Sequence, residues 1–272
     1  MQKISVNGTA LAYVERGQGA ETVVFSHSFL VDHRHFDAQI EALSDSYRII
    51  AFDHREHGQS ALTDGDYSMD DLVADAAGLI EGVNAAPCHF VGLSTGGFVG
   101  LRLALRSPQL LQSLVLMDTS AEREPALKRI KYEAMFQGLR AFGFGPLMGS
   151  VMSLMFSPSS LGDPERRDEM DLWRERMRAN DRHAIIRFGR AIFRRDDIVR
   201  ELHRIATPTL VVVGADDRPQ PPARARRIAN GIPGAELAII PDAGHLSTID
   251  APLAVTDALT RFLEAHGATA QP

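Results

Sequence analysis

The chain has 272 residues, enough to bury one large core or a core with a smaller satellite. Its 44% hydrophobic and 24% charged residues suit a globular protein, and a formal net charge of −6 offers no electrostatic footing for nucleic acid. The single cysteine, Cys88, excludes an internal disulfide; it points to a reducing compartment and reads as a buried structural thiol.

The opening "MQKISVNGTALAYVERG" lacks the apolar core of a secretory signal, and no run is long enough to span a bilayer, so a cytoplasmic location is expected. Asn7-Gly8 between "ISV" and "TALAYVERG" predicts a hairpin. "ETVVFSHS" reads as a buried strand. "HFDAQIEALS" carries Phe36, Ile40 and Leu43 at helical spacing. "YRIIAFD" is a strand, and "MDDLVADAAGLIEGV" is a helix with Leu72, Val73, Ala76, Leu79, Ile80 and Val83 on one stripe. "CHFVGLS" is a strand, "GGFVGLRLALRS" a helix stopped before Pro108, and "LQSLVLMD" a strand. Apolar strands alternating with helices predict an α/β fold with a parallel sheet covered on both faces.

The rhythm breaks near Ala121. Residues 121–204 read as helical, rich in Arg and Met, with a breaker at "FGFGPLMG" and a helix start at Asp163-Pro164. Alternation resumes with the strand "TPTLVVVGADD", the helix "ARARRIANGI", the strand "AELAIIP" and the helix "PLAVTDALTRFLEAH". The expected organisation is a core of residues 1–120 and 205–272 interrupted by a helical satellite, 121–204. The end, "GATAQP", reads as a disordered tail.

"HFVGLSTGGFVG" places Ser94 between a strand and a helix. Gly92-Leu93-Ser94-Thr95-Gly96 fits a nucleophile elbow, a tight turn that strains the Ser backbone and leaves room only for small residues two positions away on either side. Glycines at 92, 96, 97 and 100 do not fit the G-x-G-x-x-G of a dinucleotide site. A Ser hydroxyl needs a base to take its proton. His245, in "IPDAGHLSTID", follows a strand and falls last in the order Ser…Asp…His. The strand end "VVVGADDRPQPP" offers Asp216 and Asp217 to orient it.

With "FSHSF", "FDHREHGQS", "VVVGADDRPQP" and "IPDAGHLS", these residues make the chain resemble the α/β-hydrolase fold family over its length outside the insert. It looks most similar to the capped esterase and lactonase branch that includes 3-oxoadipate enol-lactonases. The resemblance implies a mostly parallel sheet of about eight strands with a helical cap inserted after strand six. It selects Asp217 from the pair, because Asp-Arg-x-x-Pro surrounds the acid in such relatives; some take the acid from an earlier strand end, where Asp118 lies. It assigns the oxyanion hole to the N–H groups of Thr95 and Phe29. It implies a metal-free, cofactor-free hydrolase of a small carboxylic ester or lactone. A C–C bond hydrolase, a cofactor-free perhydrolase or a small-ligand sensor on the same fold are the alternatives.

Two positions depart from the family pattern. Ser28 follows His27 where Gly is common, although enol-lactonase-like members also have Ser there. Glu56 replaces a Gly in "DHREHG", either as a surface loop substitution or pointing into the substrate mouth; at positive φ it would cost roughly 1 kcal/mol. His33-x-His35-x-Asp37 begins like a metallo-hydrolase cluster, with His54, Glu56 and His57 as further ligands on paper. It straddles a helix start, so two of the three are expected to face solvent and no metal is expected. Met135, Met148, Met152, Met155, Met170 and Met177, with Phe136, Phe142, Phe144, Phe156 and Trp173, are expected to divide between a core for the insert and an apolar wall above Ser94. The Arg run from Arg166 to Arg195 reads as a solvated face, with docking of an acidic carrier protein as the lesser reading.

Overall fold

A computed structural model describes residues 1–267, so the tail from 268 onward lies outside the described residues. The hairpin forms as its turn dictates. β1 (Gln2–Val6) and β2 (Thr9–Arg16) pair antiparallel, with Asn7 at φ 45° and Gly8 at φ 74°, the left-handed pair that matches strand twist. There follow β3 (Thr22–Ser26), α1 (Asp37–Leu43), β4 (Arg48–Phe52), α2 (Met69–Gly82), β5 (Cys88–Leu93), α3 (Thr95–Arg106) and β6 (Leu111–Met117). The insert contributes α4 (Ala126–Phe142), α5 (Met148–Met155), α6 (Pro158–Gly162), α7 (Arg167–Arg178) and α8 (Arg182–Phe193). β7 (Thr209–Gly214), α9 (Pro222–Gly231), β8 (Glu236–Ile240), α10 (Ser247–Asp250) and α11 (Pro252–Ala265) complete the chain.

The strands form one eight-stranded sheet in the order β1-β2-β4-β3-β5-β6-β7-β8. Every pairing from β4 to β8 is parallel, and β1 and β2 are the antiparallel edge. Successive side chains of a strand point to opposite faces, so β3 divides its apolar run: Val23 and Phe25 pack with α1 and α11, while Val24 packs with α2, α3 and α9. Cys88 is buried, and burial pushes its thiol up to about 12.

Met148, Met152, Trp173 and Met177 are buried and continuous with the apolar cluster on the α1/α11 face. Within the insert, α4 packs on α8, and α5, α6 and α7 pack on one another. The break at "FGFGPLMG" ends α4 at Gly143, φ 70°, before a single 3₁₀ turn. Asp163 caps the 3₁₀ turn that leads into α7, accepting from Glu165 N–H at 2.9 Å.

Candidate active site

Ser94 sits between β5 and α3 at φ 53°, ψ −101°, a backbone state that L-residues avoid. Its surroundings hold it there. Ser94 N–H donates to Met117 C=O at 2.8 Å, and Thr119 Oγ1 donates to Ser94 C=O at 2.8 Å. A Cβ on Gly92 would lie 2.3 Å from Gly96 backbone, and one on Gly96 would lie 2.0 Å from Ser26 O. The two small residues of the motif are therefore required by close backbone approach.

Ser94 Oγ lies 3.0 Å from His245 Nε2, and His245 Nδ1 lies 3.0 and 3.1 Å from the Asp217 carboxylate oxygens. All three residues are buried. Asp217 Oδ1 also accepts from Gln220 N–H at 2.8 Å, which fixes the carboxylate. Asp216 is exposed and makes no contact with His245. Asp118 ends β6 at φ 48° but turns elsewhere: its oxygens accept from Gly214 N–H at 2.8 Å and from Ser247 Oγ at 2.5 Å. Burial and the nearby Asp217 charge push the Asp118 carboxyl well above its usual range. Burial alone would lower His245, but the charge and hydrogen bond of Asp217, with Asp118 beyond, carry it above its ordinary value.

The insert and the His245 loop hold each other. Leu246 N–H donates to Met155 C=O at 2.8 Å, and Asp250 Oδ2 accepts from both Gly244 N–H at 2.7 Å and Ser157 N–H at 2.8 Å. Nothing in the sequence marks Asp250 for this.

Phe29 is half-buried in the loop after β3, and Thr95 opens α3. Among the described residues neither N–H has a protein acceptor. His27 fixes the Phe29 loop. Its Nε2 accepts from His54 N–H at 2.8 Å, which requires the tautomer whose Nδ1 donates to Ser28 C=O at 2.6 Å. Burial, with His54 and His57 close by, holds His27 well below its ordinary range and keeps it neutral. Its role was hidden within the "FSHSF" motif. Ser28 Oγ is buried without a partner.

A cavity of about 120 Å³ opens beside Ser94 and His245. Phe29 and Ser28 border it at the reactive end; Met135, Leu139, Phe144, Leu147, Val151 and Met155 of the insert enclose the rest. Four of the six insert methionines, Met148, Met152, Met170 and Met177, pack into the core instead. Phe136 and Phe144 also border the cavity, Phe156 and Trp173 are core, and Phe142 is exposed.

Two expectations are corrected. Glu56 adopts φ 66°, yet it is neither a surface residue nor part of the cavity wall. It is buried and accepts from Thr63 Oγ1 at 2.9 Å, Tyr67 Oη at 2.6 Å and Arg187 Nε at 2.8 Å. Of His33, His35 and Asp37, only Asp37 is exposed. His33 Nδ1 pairs with Asp53 at 2.7 Å and His35 Nδ1 with Thr248 Oγ1 at 2.9 Å, because a 3₁₀ turn precedes α1 and rotates both rings inward.

Asp32, His33 and Asp53 do bring ligand atoms within 4.8 Å of one another. Their oxygens are already engaged: Asp32 by Arg34, Asp53 by His33 and by Gln59 N–H. The Arg run is only partly a solvated face. Arg174 and Arg178 pair with acids on their own helix, while Arg187 and Arg195 reach Glu56 and the buried Glu124. No helix among the described residues is long and apolar enough to cross a membrane.

Comparison with known proteins agrees with this fold. The family described as alpha/beta hydrolase fold matches residues 21–252. A relative from Pseudomonas syringae pv. syringae, provisionally named carbamate hydrolase RutD, is 30% identical over 257 residues, covering 90% of this chain and 94% of its own. A thermophilic esterase from Thermogutta terrifontis, solved with malate bound, superposes with a TM-score of 0.91 at 26% identity, over 98% of this chain and 99% of that one. The enol-lactonase from Burkholderia xenovorans LB400 superposes with a TM-score of 0.90 at 28% identity, over 97% of this chain and 100% of that one. The sheet order, the turn at Ser94 and a match along most of the sequence lead to one conclusion: the chain belongs to the alpha/beta hydrolase fold family, a family of hydrolases.

Proposed function

We propose that the protein is a serine hydrolase of carboxylic esters or lactones, working through an acyl-enzyme, with residues 121–204 as a cap over the site. The observation that carries this reading is the continuous line from Ser94 Oγ to His245 Nε2 at 3.0 Å and from His245 Nδ1 to Asp217 at 3.0 Å, at the end of a largely apolar cavity. Similarity to an esterase and an enol-lactonase supports it.

In this mechanism Ser94 Oγ attacks the carbonyl carbon as His245 Nε2 takes its proton. Asp217 holds the imidazole in the tautomer with Nδ1–H and stabilises the imidazolium. The Phe29 and Thr95 N–H groups receive the tetrahedral oxyanion. His245 then passes the proton to the leaving oxygen, leaving Ser94 acylated. Water gives a proton to His245 as its oxygen attacks the acyl carbon; His245 then returns that proton to Ser94 Oγ as the Ser94–acyl bond breaks, releasing the acid and restoring the free enzyme. The residues named form and break every bond in this cycle without a cofactor.

Rapid mixing with p-nitrophenyl butyrate tests the acyl-enzyme. A burst of p-nitrophenol equal to the enzyme concentration, followed by slower turnover, is expected where deacylation limits the rate. Turnover persisting after Ser94→Ala would contradict the reading.

A further inference from the structure

We infer that the substrate is a neutral ester or lactone carrying an apolar acyl chain, which lies along the α4 and α5 wall, and that substrates with a second, free carboxylate are rejected. This rests on the serine-hydrolase reading and narrows it. The polar atoms of the cavity lie mainly at its reactive end, on Ser28, Ser94, Gln220 and His245. Beyond them the wall is Met135, Leu139, Phe144, Leu147, Val151 and Met155, with Tyr132 of α4 the further lining residue that bears a polar group, and among the described residues no Asp, Glu, Lys or Arg borders the cavity.

Three arginines of the insert that approach the core already have acidic partners. Arg187 is held by Glu56, Arg190 by Glu133 and Arg195 by Glu124. Arg224, from α9, shares Glu124. A distal carboxylate of the substrate would therefore lose water and gain no cation, which is costly in an apolar site. A lactone derived from a dicarboxylic acid keeps one such carboxylate. A small carbamate would leave the apolar wall unfilled and gain nothing from it. An alkyl chain gains at each methylene that leaves water, and a chain fixed in the cavity can use that gain in the transition state.

The test compares kcat/KM for p-nitrophenyl acetate, butyrate and hexanoate, and for ethyl hexanoate against monoethyl adipate with its free acid ionised. The account expects a rise of about fourfold per methylene from acetate to hexanoate. It expects at least about a hundredfold preference for the neutral ethyl ester. Met135→Trp should fill the cavity and reduce the hexanoate-to-acetate ratio about tenfold, with circular dichroism reporting that the fold is intact. If circular dichroism shows that variant misfolded, Leu147→Trp replaces it with the same expectation. Equal rates for neutral and anionic esters, a preference for acetate, or a ratio unmoved by the folded Trp variant overturns the inference. Labelling by an ethyl p-nitrophenyl phosphonate separates the two levels. Ser94 labelled without the chain-length trend sinks only the substrate class; neither labelling nor ester turnover sinks both.

Discussion

Glu56 of the β4–α2 loop accepts hydrogen bonds from Arg187 of α8, 2.8 Å from Nε and 2.5 Å from Nη2. The contact ties the loop that carries His54 and His57 to the insert that encloses the cavity. It also explains why Glu persists at φ 66°, where an L-residue is strained: the buried carboxylate gains Thr63, Tyr67 and Arg187 as partners.

The two effects at position 56 oppose each other, and substitutions separate them. Glu56→Ala keeps the backbone strain and loses the ion pair, so it should destabilise by about 3 kcal/mol. Glu56→Gly loses the same pair but relieves the strain, so it should be the more stable variant by about 1 kcal/mol. Urea denaturation gives both values. Equal stability of Ala and Gly would show that the strain is not stored there.

Much of this could be read from residue order. Hydrophobic alternation gave the sheet, and Gly92 and Gly96 around Ser94 gave the turn, because close backbone packing leaves a local signature. Asp250, Arg187 and the inward rings of His33 and His35 could not be found that way. Each depends on a partner far along the chain: Gly244 and Ser157, Glu56, and Asp53 and Thr248. The residue types alone suggested a solvent face, with a metal cluster as the lesser reading.

The neighbouring acids should differ sharply. Asp217→Asn should lower kcat by roughly 10⁴, the effect of losing the orienting carboxylate. Asp216→Asn, exposed and out of contact with His245, should change it by less than about tenfold. Asp118→Asn should cost less than Asp217→Asn, since Asp118 bonds Gly214 and Ser247. Steady-state kinetics with circular dichroism on each variant decides the ranking. A larger loss in Asp118→Asn would move the acid to β6.

The pH profile follows from His245. Its pKa is raised, and it must be neutral to take the Ser94 proton, so protonation below that pKa abolishes activity. kcat/KM should rise with pH with a midpoint above about 6.5. Residual activity of Asp217→Asn should titrate at lower pH, because the neighbouring charge that raises His245 is gone. A midpoint unmoved by that substitution would remove Asp217 from contact with the base.

Hydrolysis should continue undiminished after exhaustive treatment with EDTA. The ligand atoms of Asp32, His33 and Asp53 are bound to Arg34, to Gln59 N–H and to each other. Activity lost to the chelator and restored by zinc or manganese would show that this cluster opens to hold an ion.

The central claim is that Ser94 is the nucleophile and His245 its base. Mass spectrometry after reaction with ethyl p-nitrophenyl phosphonate tests both in one experiment. The account predicts one phosphonyl group per chain, located on Ser94, and labelling slowed by at least about a thousandfold in His245→Ala. A label on another residue, or undiminished labelling of Ser94 in His245→Ala, would contradict it.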